Sequence, residues 1–293
     1  MAYALHPQLQ QFLTLLIVWA IGEVTAHVYL SWIAVVGWIV YSALIEHALI
    51  FSRHREITYF SFSSLSTTLG VVLMLVASPG WIYGVVLSLA LAQKHWLTVA
   101  SRHFFNPSNF ALIMGMLFFY DRAHVVLGQM GDARWLEIVV MVLAAGILIR
   151  VERWRIPLAF VVSYLVLEYL VLVGYDPVLT FETIWERFYS VAFIIFVAFM
   201  LTDPRTTPSL PWQQVLFGTS VALLAVLLDR WHGFRVQHLF MVLFVLSPMV
   251  PILETPAHDR THIIIVASLL MFMAVGVVMV IESRPPFYFA MDG

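Results

Sequence analysis

Two polar, proline-containing stretches interrupt an otherwise apolar sequence and hold its best candidates for chemistry. The first is Arg102–Phe110, RHFFNPSNF, and the second is Leu201–Pro208, LTDPRTTP. Asn and Pro favour turns and Pro lacks a backbone donor, so both stretches predict breaks in helical structure. Inside a membrane such a break is tolerated only where its free polar groups face protein, ligand or water. The two breaks therefore predict a shared site.

The side chains in and beside the breaks could hold a polar ligand through amide, hydroxyl, carboxylate, ammonium and imidazole groups. The candidates at the first break are Lys94, His95, His103, Asn106, Pro107, Ser108 and Asn109, and those at the second are Asp203, Thr206 and Thr207. The plain alternative is helix capping, with Asn106 capping a helix that starts at Pro107 and Asp203 serving as a cap or turn acid. Neither a catalytic residue nor a metal-ligand set is predicted.

Ionisable residues inside apolar segments form a second group of candidates, because burying charge in a membrane is costly. They are Glu23, His27, Glu46, His47 and Glu168. Glu23 and His27 are four residues apart and share a helical face. Adjacent Glu46 and His47 point in different directions. The functional interpretation is a proton or ion path, or ligands for a buried cofactor. The alternative is that candidates near the ends of spans extend their side chains to the lipid headgroups. These candidates are Glu23, His27 and Lys94.

Haem is the less favoured cofactor hypothesis. A bis-histidine b-type haem would draw its axial ligands from His27, His47, His95 and His103. The chain has no Cys, which excludes disulfides, thiolate metal sites, Cys-ligated iron–sulfur clusters and c-type haem attachment on this chain.

Composition predicts an all-α, polytopic membrane helical bundle. The chain is 62% hydrophobic and 11% charged, whereas soluble domains are about 25% charged. We expect about ten to eleven transmembrane helices, the first a retained span and not a signal peptide. The predicted spans are 9–26, 30–51, 58–77, 81–99, 107–120, 135–150, 157–174, 188–202, 212–229, 237–252 and 262–282. The short segments 107–120 and 188–202 adjoin the breaks, as half-helices would.

The distribution of Lys and Arg predicts the orientation. Nine fall in the loops on one side and six on the other, which places the N-terminus in the cytoplasm and the C-terminus outside. We expect an integral protein of a bacterial inner membrane, surrounded by lipid. The net charge of −2 gives no basic surface for nucleic acid.

A weak internal repeat suggests how the single transmembrane domain, residues 1–293, is organised. Residues 67–91 and 191–223 both contain an apolar segment, a Pro turn, an aromatic residue and a second apolar segment. The first turn is predicted outside and the second inside, which indicates an inverted five-helix repeat with broken helices. The halves would be 1–120 and 134–254, with 262–282 as an additional C-terminal helix.

The breaks and their flanking motifs resemble the NqrB/RnfD family, which consists of membrane subunits of ion-pumping electron-transfer complexes. The sequence is more similar still to the family's stand-alone branch, the UnbU-like enediyne-biosynthesis proteins. The matching stretches are TTLGVVLMLVASP, RHFFNPSNFALI, WRIPLAF, FVAFMLTDPRTTP with WQQVLFG, and VQHLFMVLFVLSPMVPILE, over roughly residues 60–254. The resemblance implies two inverted five-helix halves and partner subunits of a redox complex.

One departure from the family affects the expected cofactor. In Nqr and Rnf members, flavin is attached to a Thr in an S-G-A-T motif after the fifth span. Here that loop is YDRAHVVLGQMGDARW, which has no Ser or Thr. Covalent flavin at the family position is therefore excluded, and a non-covalent flavin or quinone at the breaks remains the expectation.

Three functions remain open at this stage. The first is an electron-transfer subunit that interacts with flavin or quinone inside a larger membrane complex. The second is a non-catalytic accessory or assembly subunit of such a complex. The third is a small-solute or ion transporter built on the inverted repeat.

Overall fold

A computed structural model of the chain describes residues 6–25, 28–54, 62–99, 102–126, 129, 134–173, 182, 185, 188, 190–233, 235–254, 264 and 268. The helices of the first part are α1 (Pro7–Thr25), α2 (Trp32–His54), α3 (Phe62–Met74), α4 (Trp81–Trp96) and α5 (Pro107–Phe118). The later helices are α6 (Arg134–Arg150), α7 (Arg155–Glu168), α8 (Val191–Ile195), α9 (Pro211–His232), α10 (Gln237–Leu246) and α11 (Met249–Glu254). Two π-helical segments continue α7 and α8, at Tyr169–Val173 and Phe196–Met200.

Helix bounds follow the apolar runs closely. Ten of the eleven predicted segments overlap a described helix or helix pair, and 262–282 lies almost wholly outside the described residues. Within the described part, two helices are long and apolar enough to cross a membrane by themselves, Trp32–Arg53 and Pro211–His232. The equivalence of the halves 1–120 and 134–254 stays a prediction.

Exposed tryptophans mark the ends of the helices. At the end of the bundle where both breaks lie, here called the break end, they are Trp96, Trp154 and Trp212. At the opposite end they include Trp32, Trp81, Trp135 and Trp231. Trp212 and Trp231 lie on α9 about 28 Å apart at 1.5 Å rise per residue, close to the roughly 30 Å of a hydrocarbon core. Two aromatic belts at this spacing are typical of a helical membrane protein.

Three short helices form the centre of the bundle. Every residue of Ser64–Met74, Pro107–Met116 and Val191–Met200 is buried. α5 has 12 residues, about 18 Å, so it is too short to cross a bilayer. Protein surrounds these helices on all sides, which is how half-length helices can exist at membrane depth.

α7 and α9 pack closely because of one glycine. A Cβ at Gly218 would lie 2.5 Å from the carbonyl oxygen of Ile156 and 3.2 Å from the nitrogen of Phe160. Ser163 and Thr219 hydroxyls lie 3.2 Å apart across the same contact. Small residues that let helix backbones approach are the usual means of packing helices in membranes.

Two short antiparallel ribbons, which the sequence did not predict, join helices of this predominantly helical structure. β1 (Leu75–Ala77) pairs with β4 (Ala123–Val125), and β2 (Thr98–Val99) pairs with β3 (Arg102–His103). α3 ends at Met74 instead of continuing to 77, because Leu75–Ala77 pairs with Ala123–Val125 as a strand. The ribbon pairing provides partners for backbone groups that leave the helix, as at Val126 N–H to the Met74 carbonyl, 2.9 Å.

Candidate functional site

The first break is a capped helix start, which is the plain alternative given for Asn106 above. Asn106 is in the extended conformation and its Oδ1 accepts from the Asn109 N–H at 3.1 Å, with Pro107 in the first turn of α5. The side-chain amide of Asn109 donates through Nδ2 to the Phe240 carbonyl of α10 at 3.2 Å, and Ser108 Oγ donates to the Thr67 carbonyl of α3 at 3.3 Å. The break therefore fixes α5 against two neighbouring helices.

The second break is a turn built around Asp203. Its Oδ1 accepts from the Arg205 N–H at 3.0 Å, and its carbonyl accepts from the Thr207 hydroxyl at 2.7 Å. Thr206 bonds the same carbonyl through its N–H at 3.0 Å. The two threonines, buried and bonded to their own turn, support the break and do not line the cavity described below.

The two breaks meet at Asp203. Asn106 Nδ2 donates a long hydrogen bond of 3.4 Å to Asp203 Oδ2, and His103 Nε2 lies 3.9 Å from the same oxygen. Burial by itself raises the pKa of Asp203. The imidazole of His103 beside the carboxylate, with the N–H and charge of Arg205, outweighs burial and holds that pKa below the usual range of an aspartate. The site therefore presents an ionised carboxylate at neutral pH.

A polar clamp involving Glu254 holds the breaks together from outside. Arg102 Nη1 donates to Glu254 Oε2 at 2.7 Å, and its Nη2 donates to the Pro204 carbonyl at 3.0 Å. The other Glu254 oxygen accepts from the N–H and hydroxyl of Ser209 at 2.6 and 2.7 Å. Partial burial by itself raises the pKa of Glu254. The hydrogen bonds from Ser209 and the positive charge of Arg102 outweigh burial, so the pKa of Glu254 is lowered. Arg102 thus ties the first break to the second break and to the end of α11.

A cavity of about 180 Å³ lies between the breaks and the starts of α1 and α3. Its polar lining residues are Gln8, Gln11, Ser63, Ser66, Thr67, His103, Asn106, Ser108, Thr202, Asp203 and Arg205. Pockets that enclose a small molecule usually measure about 300–1,000 Å³, whereas water occupies about 30 Å³. The cavity is thus large enough for several waters or a small ion and too small to enclose a whole flavin or quinone.

Lys94 does not reach toward headgroups, which was one alternative for it. Its side chain turns inward, is buried, and donates to Glu46 Oε1 at 2.5 Å and to Ser63 Oγ at 3.0 Å. His95 Nε2 lies 3.9 Å from the same Glu46 oxygen. Two candidates from separate segments, Glu46 and Lys94, thus form one buried pair, and Ser63 connects that pair to the cavity.

The remaining ionisable candidates lie elsewhere. His47 Nδ1 is 2.6 Å from the Ala43 carbonyl of its own helix, so it points away from Glu46 as predicted. Glu168 is fully buried where α7 becomes π-helical, and Glu23 is half-buried near the end of α1, both far from the break end. His27 lies outside the described residues. The three described haem-ligand candidates have different neighbours: the Ala43 carbonyl for His47, Glu46 for His95 and Asp203 for His103.

Sequence reasoning missed two polar groups. One is the Ser/Thr face of α3, which lines the cavity through Ser63, Ser66 and Thr67; the run SFSSLSTT inside a predicted span was its signal. The other is a buried cluster at the opposite end. There Asp229 accepts from Tyr164 at 3.2 Å and from the Arg235 N–H at 3.0 Å, and lies 2.5 Å from His238 Nδ1.

Comparisons with known proteins cover most of this site. The sequence model of the NQR2, RnfD, RnfE family matches residues 66–263, about two thirds of the chain. The chain is also similar to an ion-translocating oxidoreductase complex subunit from Haemophilus ducreyi (strain 35000HP / ATCC 700724), with 26% identity over 131 residues. That alignment covers 44% of this chain and 37% of the relative, little more than a third of its length. The family match includes both breaks, the Lys94 segment and Glu254.

Proposed function

The chain belongs to the NQR2, RnfD, RnfE family, and from that membership we propose that it is a membrane subunit of an ion-translocating oxidoreductase complex. Its own part is to bind and pass a small cation at the break cavity, while partner subunits hold the main electron carriers. The loop after the fifth predicted span has no Thr or Ser to which flavin could be attached, and this favours the stand-alone UnbU-like branch of the family.

One observation carries the cation assignment: the Asp203 carboxylate and the Asn106 side chain, one from each break, meet at a cavity whose polar lining also includes the hydroxyl residues Ser63, Ser66, Thr67, Ser108 and Thr202. Hard cations take carboxylate, carbonyl, hydroxyl and water oxygens. The lowered pKa keeps Asp203 anionic, and hydroxyls of Ser108 and Thr202 line the same space.

Size separates cation binding at the break cavity from the enclosure of a cofactor in the same cavity. A cavity of about 180 Å³ is below the roughly 300 Å³ at which small-molecule pockets begin. A whole flavin or quinone would therefore not fit inside the break cavity. We place the break end in the cytoplasm, as the Lys and Arg distribution predicts.

Cation-dependent stability tests the proposal. The purified full-length chain is melted in detergent with Na⁺, Li⁺ or K⁺ at constant ionic strength, using an organic cation as replacement. A bound ion raises the melting temperature with concentration, because it binds the folded state alone. We expect at least one of the three ions to stabilise the wild type and Asp203→Asn to abolish the response. Glu152→Gln removes an exposed carboxylate at the same end and should respond as the wild type does. A wild type indifferent to all three ions would overturn the cation role.

A non-catalytic accessory role is the second candidate, and the capping geometry favours it. Asn106 caps Asn109, while Asp203 binds Arg205 within its own turn, so both breaks are held by local contacts. Affinity purification of the tagged chain from native membranes distinguishes the accessory role from the cation role. An accessory subunit would copurify with a complex whose visible redox spectrum and ion transport are unchanged when the chain is deleted.

A further inference from the structure

Arg153 lies in the turn between α6 and α7, at the break end of the bundle. Its side chain is partly buried, and its Nε is buried without a hydrogen-bond partner. Among the residues that the structure describes, the Arg153 guanidinium forms no hydrogen bond or ion pair. The nearby Arg102 guanidinium, in contrast, donates to Glu254 and to the Pro204 carbonyl. Arg153 therefore has unused donors for a ligand from outside the chain.

The electrostatic surroundings favour an anion beside Arg153. Burial, and after it the charge of Arg102, lower the pKa of Arg153 because both disfavour its positive charge. The carboxylates of Glu254, Glu152 and Asp203 act in the opposite direction and do not cancel this effect. A guanidinium stays protonated in proteins, so its charge is not relieved by loss of a proton. A bound anion would relieve it.

The backbone of the turn holds Arg153 in a fixed place. The N–H of Glu152 bonds the Ile149 carbonyl at 3.3 Å, and the N–H of Arg153 bonds the Leu148 carbonyl at 3.2 Å. These two bonds form the Schellman motif that ends a helix. Glu152 occupies the left-handed position of the motif, with a φ of 55°, where glycine is usual. The end of α6 therefore restricts where the Arg153 guanidinium can lie.

The turn lies at the depth of the lipid headgroups. Trp154 is 41% exposed and belongs to the aromatic belt of the break end. The Arg155 guanidinium carbon lies 4.7 Å from the centre of the Trp154 ring. The helices on either side expose large apolar side chains, including Ile149 on α6 and Leu158 on α7. The turn is therefore at the rim of the bundle, where a side chain and a headgroup phosphate can meet.

From these observations we propose that Arg153 binds the headgroup of an anionic phospholipid. Its two Nη groups donate to two phosphate oxygens, which is the paired geometry that arginine and phosphate favour. Residues 150–155, RVERWR, contain three arginines and one glutamate, so they attract an anionic headgroup more strongly than a zwitterionic one. The position beside an exposed tryptophan favours lipid over an acidic segment of a partner protein. The proposal is independent of the cation role, since it uses different side chains.

Lipid-dependent melting tests this site. The purified full-length chain is melted in a neutral detergent with added phosphatidylcholine or phosphatidylglycerol, and native mass spectrometry counts the lipids that it retains. We expect phosphatidylglycerol to raise the wild-type melting temperature more than phosphatidylcholine does, because a bound lipid stabilises the folded state. Arg153→Gln should need several-fold more phosphatidylglycerol for the same rise and should retain less of it. The control Arg122→Gln removes an exposed arginine at the opposite end and should respond as the wild type does.

Melting in phosphatidylcholine alone distinguishes lipid binding from a structural role. There Arg153→Gln should melt no lower than the wild type, because it removes a partly buried charge that has no partner. A loss of stability in Arg153→Gln that is equal in both lipids would make Arg153 a structural residue and overturn the proposal.

Two further outcomes would also overturn the lipid assignment. If inorganic phosphate at the same ionic strength stabilises the wild type as phosphatidylglycerol does, the site takes free phosphate. If the wild type responds equally to phosphatidylglycerol and phosphatidylcholine, Arg153 does not select an anionic headgroup, and an acidic segment of a partner becomes its expected ligand.

Discussion

Arg102 and Glu254 are 152 positions apart in the sequence, and the Arg102 guanidinium donates to the Glu254 carboxylate over 2.7 Å. The same guanidinium donates to the Pro204 carbonyl, so one side chain fixes both helix breaks and the end of α11. The clamp closes the break end around the cavity that Asp203 and Asn106 line. Substitutions in the clamp, at the breaks and in the helix packing that supports them should therefore have distinct effects.

The clamp should make stability sensitive to acid. The pKa of Glu254 is lower in the folded state than its usual value of 4.5. The contribution of Glu254 to the free energy of unfolding is therefore complete above pH 4.5 and is lost as the pH falls through the folded pKa. Melting temperatures between neutral pH and about pH 3 should therefore show a steeper acidic decline for the wild type than for Glu254→Gln. Identical acidic profiles would mean that the clamp contributes nothing to stability.

Arg102→Ala should destabilise the fold by about 1 kcal/mol. The partly exposed Arg102 guanidinium makes two hydrogen bonds that would be lost, one to the Glu254 carboxylate and one to the Pro204 carbonyl. The measurement is chemical or thermal unfolding in detergent. Arg122→Ala removes an exposed arginine at the opposite end and serves as the control. A loss in Arg122→Ala as large as that in Arg102→Ala would contradict the clamp.

Gly218→Ala should weaken the packing of α7 and α9. The added methyl would lie 2.5 Å from the Ile156 backbone oxygen, which cannot move aside as a flexible side chain could. We expect a loss of roughly 1–3 kcal/mol, typical of an overfilled contact. The matched variant Gly37→Ala meets no atom within 4 Å and should be neutral or stabilising by up to about 1 kcal/mol through helix propensity. Equal stability of the two variants would remove the close-packing explanation.

Substitutions at Asn106 should separate capping from ion binding. Asn106→Ala removes the acceptor for the Asn109 N–H and should cost about 1 kcal/mol of stability. Asn106→Ser keeps a capping oxygen but loses the amide that reaches Asp203, so it should melt near the wild type while its response to cations weakens. If Asn106→Ser retains the full cation response, the Asn106 amide has only a capping function.

The buried cluster around Asp229 should be a major source of stability. Asp229→Ala leaves Tyr164, His238 and the Arg235 N–H without their shared acceptor, and we expect a loss of about 3–5 kcal/mol. Asp229→Asn keeps an acceptor oxygen and should lose less. Thermal melting checks this order, with the exposed Asp121→Ala as control. A melting temperature of Asp229→Ala close to that of Asp121→Ala would show that the cluster is dispensable.

Much of the architecture could be predicted because its signals are local. Apolar runs located ten described helical segments within a few residues, and the capping role of Asn106 followed from Asn before Pro. The different directions of Glu46 and His47 followed from helical periodicity alone. The ribbons were missed because strands of two or three residues leave no periodic signal inside an apolar run.

The chain's residue types and their order determined its class, its family motifs and its candidate breaks, since hydrophobicity and turn chemistry act over neighbouring residues. Only the tertiary structure decided which candidates meet: Asn106 with Asp203, Lys94 with Glu46 through α2 and α4, and Arg102 with Glu254. It also separated Glu168 and Glu23 from the site and added the Ser63 face of α3. The physical reason is that burying ionisable groups in a membrane requires partners. Which partner each group finds depends on how helices distant in sequence pack, and no local pattern records that packing.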